Sequence, residues 1–293
     1  MTVPYQTVRS SVPARLSLFR VIKSEFVKFT SLRSSWWVLA IFFVLGVAFC
    51  SIVVTALTTL RVSDMDPSEI LSQMNLLSLI ASPVVVMGTL IVSLLGVLII
   101  TNEYSSGSIR STFTAVPRRL PVIWGKVVVL IVSGALVTCL TVLTAYTIGR
   151  VVLSGRGVDT TLFSGAAGRV FVAVPLVVVT FALLGLMIGC LIRSTAGSIA
   201  TTVGLTFVLP VLADGFRGLL TTGPENFSGW RKIVVYLLDL LPTSASNRLL
   251  AFDPPSAEQL GLHYGPWAGF GILWIWVLAF AVAGLIRVAR ADA

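Results

Sequence analysis

Residues Ile100–Lys126 read ITNEYSSGSIRSTFTAVPRRLPVIWGK. This is the most charged interruption between two long apolar runs, with one acid, Glu103, against four bases, Arg110, Arg118, Arg119 and Lys126. The chain leaves the preceding run with a carboxylate at the water line and turns through Ser105, Ser106 and Gly107. A short helix can follow, with Ile109, Phe113 and Val116 on one side and Arg110 on another. Pro117 stops it, because proline disfavours helical backbone in the residue before it. Arg118 and Arg119 then reach toward lipid phosphate or acidic groups, Pro121 starts the return, and Lys126 marks re-entry into apolar sequence. The stretch reads as a stiff, basic hook.

The flanks of the hook belong to a pattern that fills the chain. Its 293 residues are 56% hydrophobic and 11% charged, with a mean hydropathy of +0.97. Soluble domains carry about 25% charged residues. A surface this apolar cannot be hidden in water, so the chain reads as an all-α integral membrane protein. A spanning helix needs about 20 mostly apolar residues. Six runs qualify: about Trp36–Leu60, Leu76–Thr101, Val127–Gly149, Val170–Ile192, Ile199–Leu220 and Trp267–Ile286. The predicted organisation is an N-terminal segment over 1–35, a single six-helix domain over 36–286 and a tail over 287–293. The first run has the length of a full span and no small-residue cleavage site, so it reads as a retained helix.

No run carries a charge in its middle. Asp214 and Arg217, near one end of the fifth, are spaced to pair on one helix face. Pro83, Pro175 and Pro210 predict kinks that neighbouring helices can absorb. Gly185-Leu-Met-Ile-Gly189 is a GxxxG that permits close helix approach, inside one subunit or at a dimer seam.

Six spans put both termini on one side. Thirteen of the 21 Lys and Arg residues fall there: six in the N-terminal segment, four in the hook, Arg193, Arg287 and Arg290. Basic residues concentrate in cytoplasmic loops, so the termini and the hook are expected in the cytoplasm. The same rule accounts for the net charge of +9 without a nucleic-acid partner. Trp36, Trp37 and Trp267 open spans, as the interfacial aromatic belt requires.

Two segments do not span. In Ser17–Ser31 a helical period puts Leu18, Phe19, Ile22, Phe26 and Phe29 on one stripe, with Arg20, Lys23, Ser24 and Lys28 opposite and Glu25 as the one acid. This predicts an amphipathic interfacial helix lying along the lipid bilayer. Thr221–Pro266 contains Ile233–Pro242, an apolar run too short to cross, hence a re-entrant or interfacial element before the last helix. Trp230 and Tyr236 suit the headgroup level there, and Asp239 must face water or protein.

Several chemistries have no residues to support them. There is no GxxxxGK[ST] and so no P-loop for ATP, no HExxH, and a single histidine, His263. Cys50, Cys139 and Cys190 sit in apolar runs and read as small hydrophobes rather than a disulfide or metal set. No acid–base cluster suits an enzyme, and no mid-span titratable group suits an ion-coupled carrier. Energy for uphill movement would have to come from another polypeptide.

Glu103, then Gly107-Ser108-Ile109-Arg110, then Pro117-Arg118-Arg119 and Lys126 form a pattern. Joined to the opening SEFVKFTSLRSSWW (Ser24–Trp37), the six spans and the long segment before the last one, it resembles the ABC-2 type permease family over nearly the whole chain. The resemblance implies the transmembrane permease subunit of an ATP-binding cassette transporter, most often an exporter. Two permease subunits, identical or sister, would pair with two P-loop ATPase subunits that carry the ATP and Mg. The hook, with Glu103, Tyr104, Gly107, Ser108, Ile109, Arg110, Pro117, Arg118, Arg119 and Lys126, would be the coupling element seated in an ATPase cleft. The preference for Arg over Lys, with much Ala, Gly and Val, points to a GC-rich bacterial genome and a bacterial plasma membrane. Two alternatives stay open: a non-transporting scaffold or sensor that recruits proteins through the basic face, and an ATP-independent carrier or membrane enzyme.

Overall fold

A backbone in hydrocarbon has no water to bond, so each apolar run must close its hydrogen bonds on itself. The computed structural model describes residues 17–60, 76–109, 119–155, 167–221, 229–250 and 264–290, and among these there is no strand. The helices are α1 (Leu18–Ser31), α2 (Arg33–Leu60), α3 (Leu76–Ser105), α4 (Arg119–Ser154) and α5 (Ala167–Ile192). A broken fifth span follows, made of α6 (Thr195–Val203), a π-helical turn (Gly204–Val208) and α7 (Leu209–Thr221). Two short helices, α8 (Gly229–Asp239) and α9 (Pro242–Leu250), precede α10 (Pro266–Arg290). Among the described residues six helical stretches are long and apolar enough to cross a membrane.

The helices flanking the hook extend beyond the apolar runs. α3 continues to Ser105 and α4 starts at Arg119. Pro121 and Lys126 therefore lie inside the first turns of α4, not on a return path. The first turn of a helix has no partner for its N–H groups, so proline fits there without loss.

The fifth span breaks for the complementary reason. Pro210 has no N–H to offer the preceding turn. The turn before it widens, and the Leu209 N–H reaches the Gly204 carbonyl five residues back. π turns of this kind insert into α-helices as single-turn bulges.

α5 is the centre of the bundle. Of its most apolar stretch 83% is buried, against 22% for the fifth span. α3 lies along α5 in the largest helix–helix contact, and α10 packs on the same helix. A Cβ on Gly96 would stand 2.0 Å from the Ala182 carbonyl oxygen, and one on Gly185 2.2 Å from that of Ser93. The GxxxG at Gly185 is thus used inside the chain, where it lets α5 meet α3 backbone to backbone. α2 rests on α3 and α4, α1 on α4, and α9 on α10.

In α1 the protein-facing side is Val21, Glu25 and Phe29, while Leu18, Phe19 and Phe26 are exposed and Ile22 is half-buried. The stripe predicted from periodicity is therefore shared between two apolar surroundings, lipid and the flank of α4. A period finds the boundary between apolar and polar but cannot tell lipid from protein.

At the end of the bundle opposite the hook, Asp239 is buried and faces protein. Its Oδ1 accepts from Arg217 at 2.7 Å, and Oδ2 lies 3.6 Å from Arg248. Tyr264 Oη donates to the Asp239 main-chain oxygen at 2.8 Å, and Trp276 Nε1 to that of Leu240 at 2.9 Å. Arg217 thus reaches across to α8, and the expected pairing with Asp214, which is exposed, is not the one formed. Burial, reinforced by the Asp239 charge, raises the Tyr264 phenol above its ordinary 10.0.

Gly96→Val should lower the midpoint of thermal unfolding in detergent by the equivalent of about 1–3 kcal/mol or more, the usual penalty of overpacking. Gly215→Ala, where nothing stands near a new Cβ, should leave the midpoint unchanged or raise it. Equal behaviour of the two variants would contradict the close α3–α5 contact.

Candidate coupling site at the base of the hook

The charged residues around the hook come together although they are far apart in sequence. Lys126 Nζ donates to Glu25 Oε2 at 2.7 Å and to Glu103 Oε1 at 2.7 Å. Lys28 Nζ donates to Glu25 Oε1 at 2.8 Å and to Glu103 Oε1 at 3.2 Å. Two carboxylates and two ammonium groups from α1, α3 and α4 thus form one network with no net charge. Side-chain exposure is 2% for Lys126, 4% for Glu25, 14% for Glu103 and 43% for Lys28. Gly125 makes room for it, because a Cβ there would lie 3.0 Å from Glu25 Cγ. Burial lowers the Lys28 pKa, but hydrogen bonding and charge from Glu25, then Glu103, outweigh it and hold the ammonium above its ordinary 10.5.

Glu103 Oε1 takes both lysines, while Oε2 is buried with no partner among the described residues. A buried carboxylate oxygen without a donor is uncommon and calls for an explanation.

The helix then stops at Gly107, which has φ +72 and open space around it. The Ser106 and Gly107 N–H groups bond back to the Asn102 and Tyr104 carbonyls at 3.0 and 3.3 Å. Glycine in the left-handed region is the usual way to end a helix and satisfy its last carbonyls. Ile109, just beyond the turn, is buried in the core. The chain is therefore pinned by an apolar side chain just past the end of α3.

Tyr104 ties the same helix end to the other half of the bundle. The Arg193 guanidinium lies over its ring, 5.5 Å from the centroid, and donates to the Arg287 main-chain oxygen in α10. Arg193 has φ 62, the left-handed region. This costs a non-glycine residue about 1–2 kcal/mol, and the position makes the tight turn between α5 and α6.

The structure brings Glu103 and Lys126 together with Glu25 and Lys28. It places Tyr104, Gly107, Ser108 and Ile109 at the root of the hook. Lys23 is exposed on α1. Arg110, Pro117 and Arg118 lie outside the described residues, and Arg119 is the first residue of α4. Sequence reading missed that Glu25 serves Lys126 and that Arg193 serves Tyr104. A signal for the first was available: only three acids lie on the side expected to hold the termini, and two of them are Glu25 in the interfacial helix and Glu103 at the end of the second span.

A family model described as ABC-2 family transporter protein matches residues 19–293. The chain belongs to that family. No curated protein matches it. The family membership and six spanning helices make it a multi-pass permease subunit of a transporter, the transmembrane part rather than the catalytic one. Among the described residues of this permease no group of His, Cys, Asp and Glu is placed to hold a metal.

Lys126→Met should cost the permease about 3–5 kcal/mol of stability, because removing one partner strands buried charge. Lys28→Met should cost much less, since that side chain is 43% exposed and screened. The raised Lys28 pKa also sets a pH dependence. Its contribution is complete below 10.5 and disappears as pH rises through the higher folded value. Unfolding midpoints measured against pH should show this alkaline loss in the parent chain and not in Lys28→Met.

Proposed function

We propose that this permease is the membrane half of an ATP-driven exporter in a bacterial plasma membrane, with both termini and the hook in the cytoplasm. A separate P-loop ATPase subunit binds ATP and Mg and seats the hook, and a second permease subunit, identical or sister, completes the transporter. The observation that carries this reading is the double anchoring of the end of α3. Glu103 links it to α1 and α4, and Tyr104, through Arg193, to α5 and α10. A push on the hook is passed at once to both halves of the bundle, as a two-state rearrangement of packed helices requires. The excess of bases on the hook side supports the orientation. The lack of a P-loop fits an ATP site on another chain.

In this reading Glu103 and Lys126 set the root of the hook, and its exposed residues, Ser108 with Arg110, Arg118 and Arg119, meet the ATPase. Ser108→Trp should abolish co-purification of the ATPase and ATP-driven transport while the permease still inserts with an unchanged unfolding midpoint. A cysteine at position 108 should react with a membrane-impermeant reagent only from the cytoplasmic side. Normal transport by Ser108→Trp, or labelling from outside, would overturn the reading.

A further inference from the structure

A cavity of about 400 Å³ lies between α1, the start of α2, the end of α3 and the start of α4. The start of α2 meets it with Leu32, Ser34 and Ser35. Ser35 is 4% exposed, and its hydroxyl makes no hydrogen bond among the described residues. Ser24 and Ser31 in α1 and Ser51 in α2 each donate to a carbonyl of their own helix, the usual use of a helical serine. An enclosed hydroxyl left without a partner is uncommon and calls for something that binds it.

The main chain beside Ser35 has donors to spare. Its own N–H bonds to the Leu32 carbonyl at 3.1 Å, while those of Arg33 and Ser34 have no main-chain acceptor among the described residues. The first N–H groups of a helix find no partner within it, and they form the positive pole of its dipole.

The charges leave the same excess. Glu25 and Glu103 also border the cavity, but Lys28 and Lys126 hold both of them, and the four sum to zero. Lys28, in the last turn of α1, also offsets the negative pole of that helix. Arg33, exposed and in no ion pair among the described residues, remains beside the end of α2. The mouth of the cavity is therefore set for an anion, as helix N-termini are for phosphate.

Below the mouth the lining is apolar, made of Val38, Leu95, Leu98, Ile99 and Val129. Along α3 it descends from Asn102 to Leu95, about 10 Å at 1.5 Å per residue. Trp36 and Trp37, on the same turn as Ser35, are 56% and 69% exposed, as side chains in the headgroup belt are. A free anion has nothing to set against such a floor, whereas a phosphate that carries an acyl chain does.

We propose that this cavity binds an anionic phospholipid of the leaflet on which α1 lies. The phosphate accepts from the Ser34 and Ser35 hydroxyls and from the first N–H groups of α2, with Arg33 beside it. An acyl chain follows Val38 and Leu98 inward. Phosphatidylcholine would bring a fixed cation next to Arg33, so phosphatidylglycerol is preferred. The proposal needs only that the permease sits in a bilayer, and it stands or falls separately from the ATPase reading.

The test uses the full chain, purified in detergent and given equal amounts of dioleoyl phosphatidylglycerol and dioleoyl phosphatidylcholine. Native mass spectrometry should show phosphatidylglycerol retained in excess. Ser35→Ala, which keeps every charge, should cut that retention about tenfold, the value of one hydrogen bond to a charged group, with an unchanged unfolding midpoint. Arg33→Gln should bring the two lipids level, whereas Arg231→Gln, an equal loss of charge on α8, should not. Inorganic phosphate and glycerol 3-phosphate should not displace the lipid. Equal retention of the two lipids by the parent chain overturns the proposal. So does full retention by Ser35→Ala, an equal effect of Arg33→Gln and Arg231→Gln, which would be general electrostatic coating, or displacement by the chainless phosphates.

Discussion

Charged side chains enclosed in protein at the edge of a bilayer have to be paired with opposite charge. Glu25, Glu103, Lys28 and Lys126 meet that condition together. Lys126 is almost fully enclosed and is bonded to both carboxylates. Each carboxylate in turn comes from a different helix. The requirement therefore fixes three elements at once. α1 must lie against the start of α4, α3 must end beside them, and the hook must leave from that junction. Buried ion pairs add little net stability over apolar packing. Their effect here is one of position, because a shifted α1 would leave a charge stranded.

α3 is the member shared by both halves of the molecule. Along its length Gly96 and Ser93 meet the backbone of α5, so the two helices pack backbone to backbone. At its end Glu103 and Tyr104, adjacent in sequence, project to different sides of the helix. One reaches α1 and α4, the other reaches Arg193 and through it α10. Gly107 then ends the helix sharply. The end of α3 is thus a joint anchored on two sides to both halves of the bundle.

The opposite end is organised by a single carboxylate. Asp239 gathers Arg217 from the fifth span and Arg248 from α9, and its main chain accepts from Tyr264 at the start of α10. The two short helices before α10 are thereby roped to both neighbours. The fifth span itself is the least buried of the six and is interrupted by a π turn ahead of Pro210. Among the spans it is the one least committed to the rest of the chain.

Hydropathy and charge alone determined the class of the protein, its six spans, the interfacial helix and the short element before the last span. These follow from counting apolar residues against bilayer thickness, a one-dimensional constraint that the sequence states directly. The hook was visible for the same reason, as a charged break in apolar sequence. Which side of α1 meets protein, which acid serves Lys126, and where Arg217 turns were not visible, because lipid and protein interior are equally apolar and give the same periodicity. Those choices belong to the tertiary structure. Only when Gly125 admits α1 to the flank of α4 do Glu25 and Lys126, 101 positions apart, come within hydrogen-bonding distance.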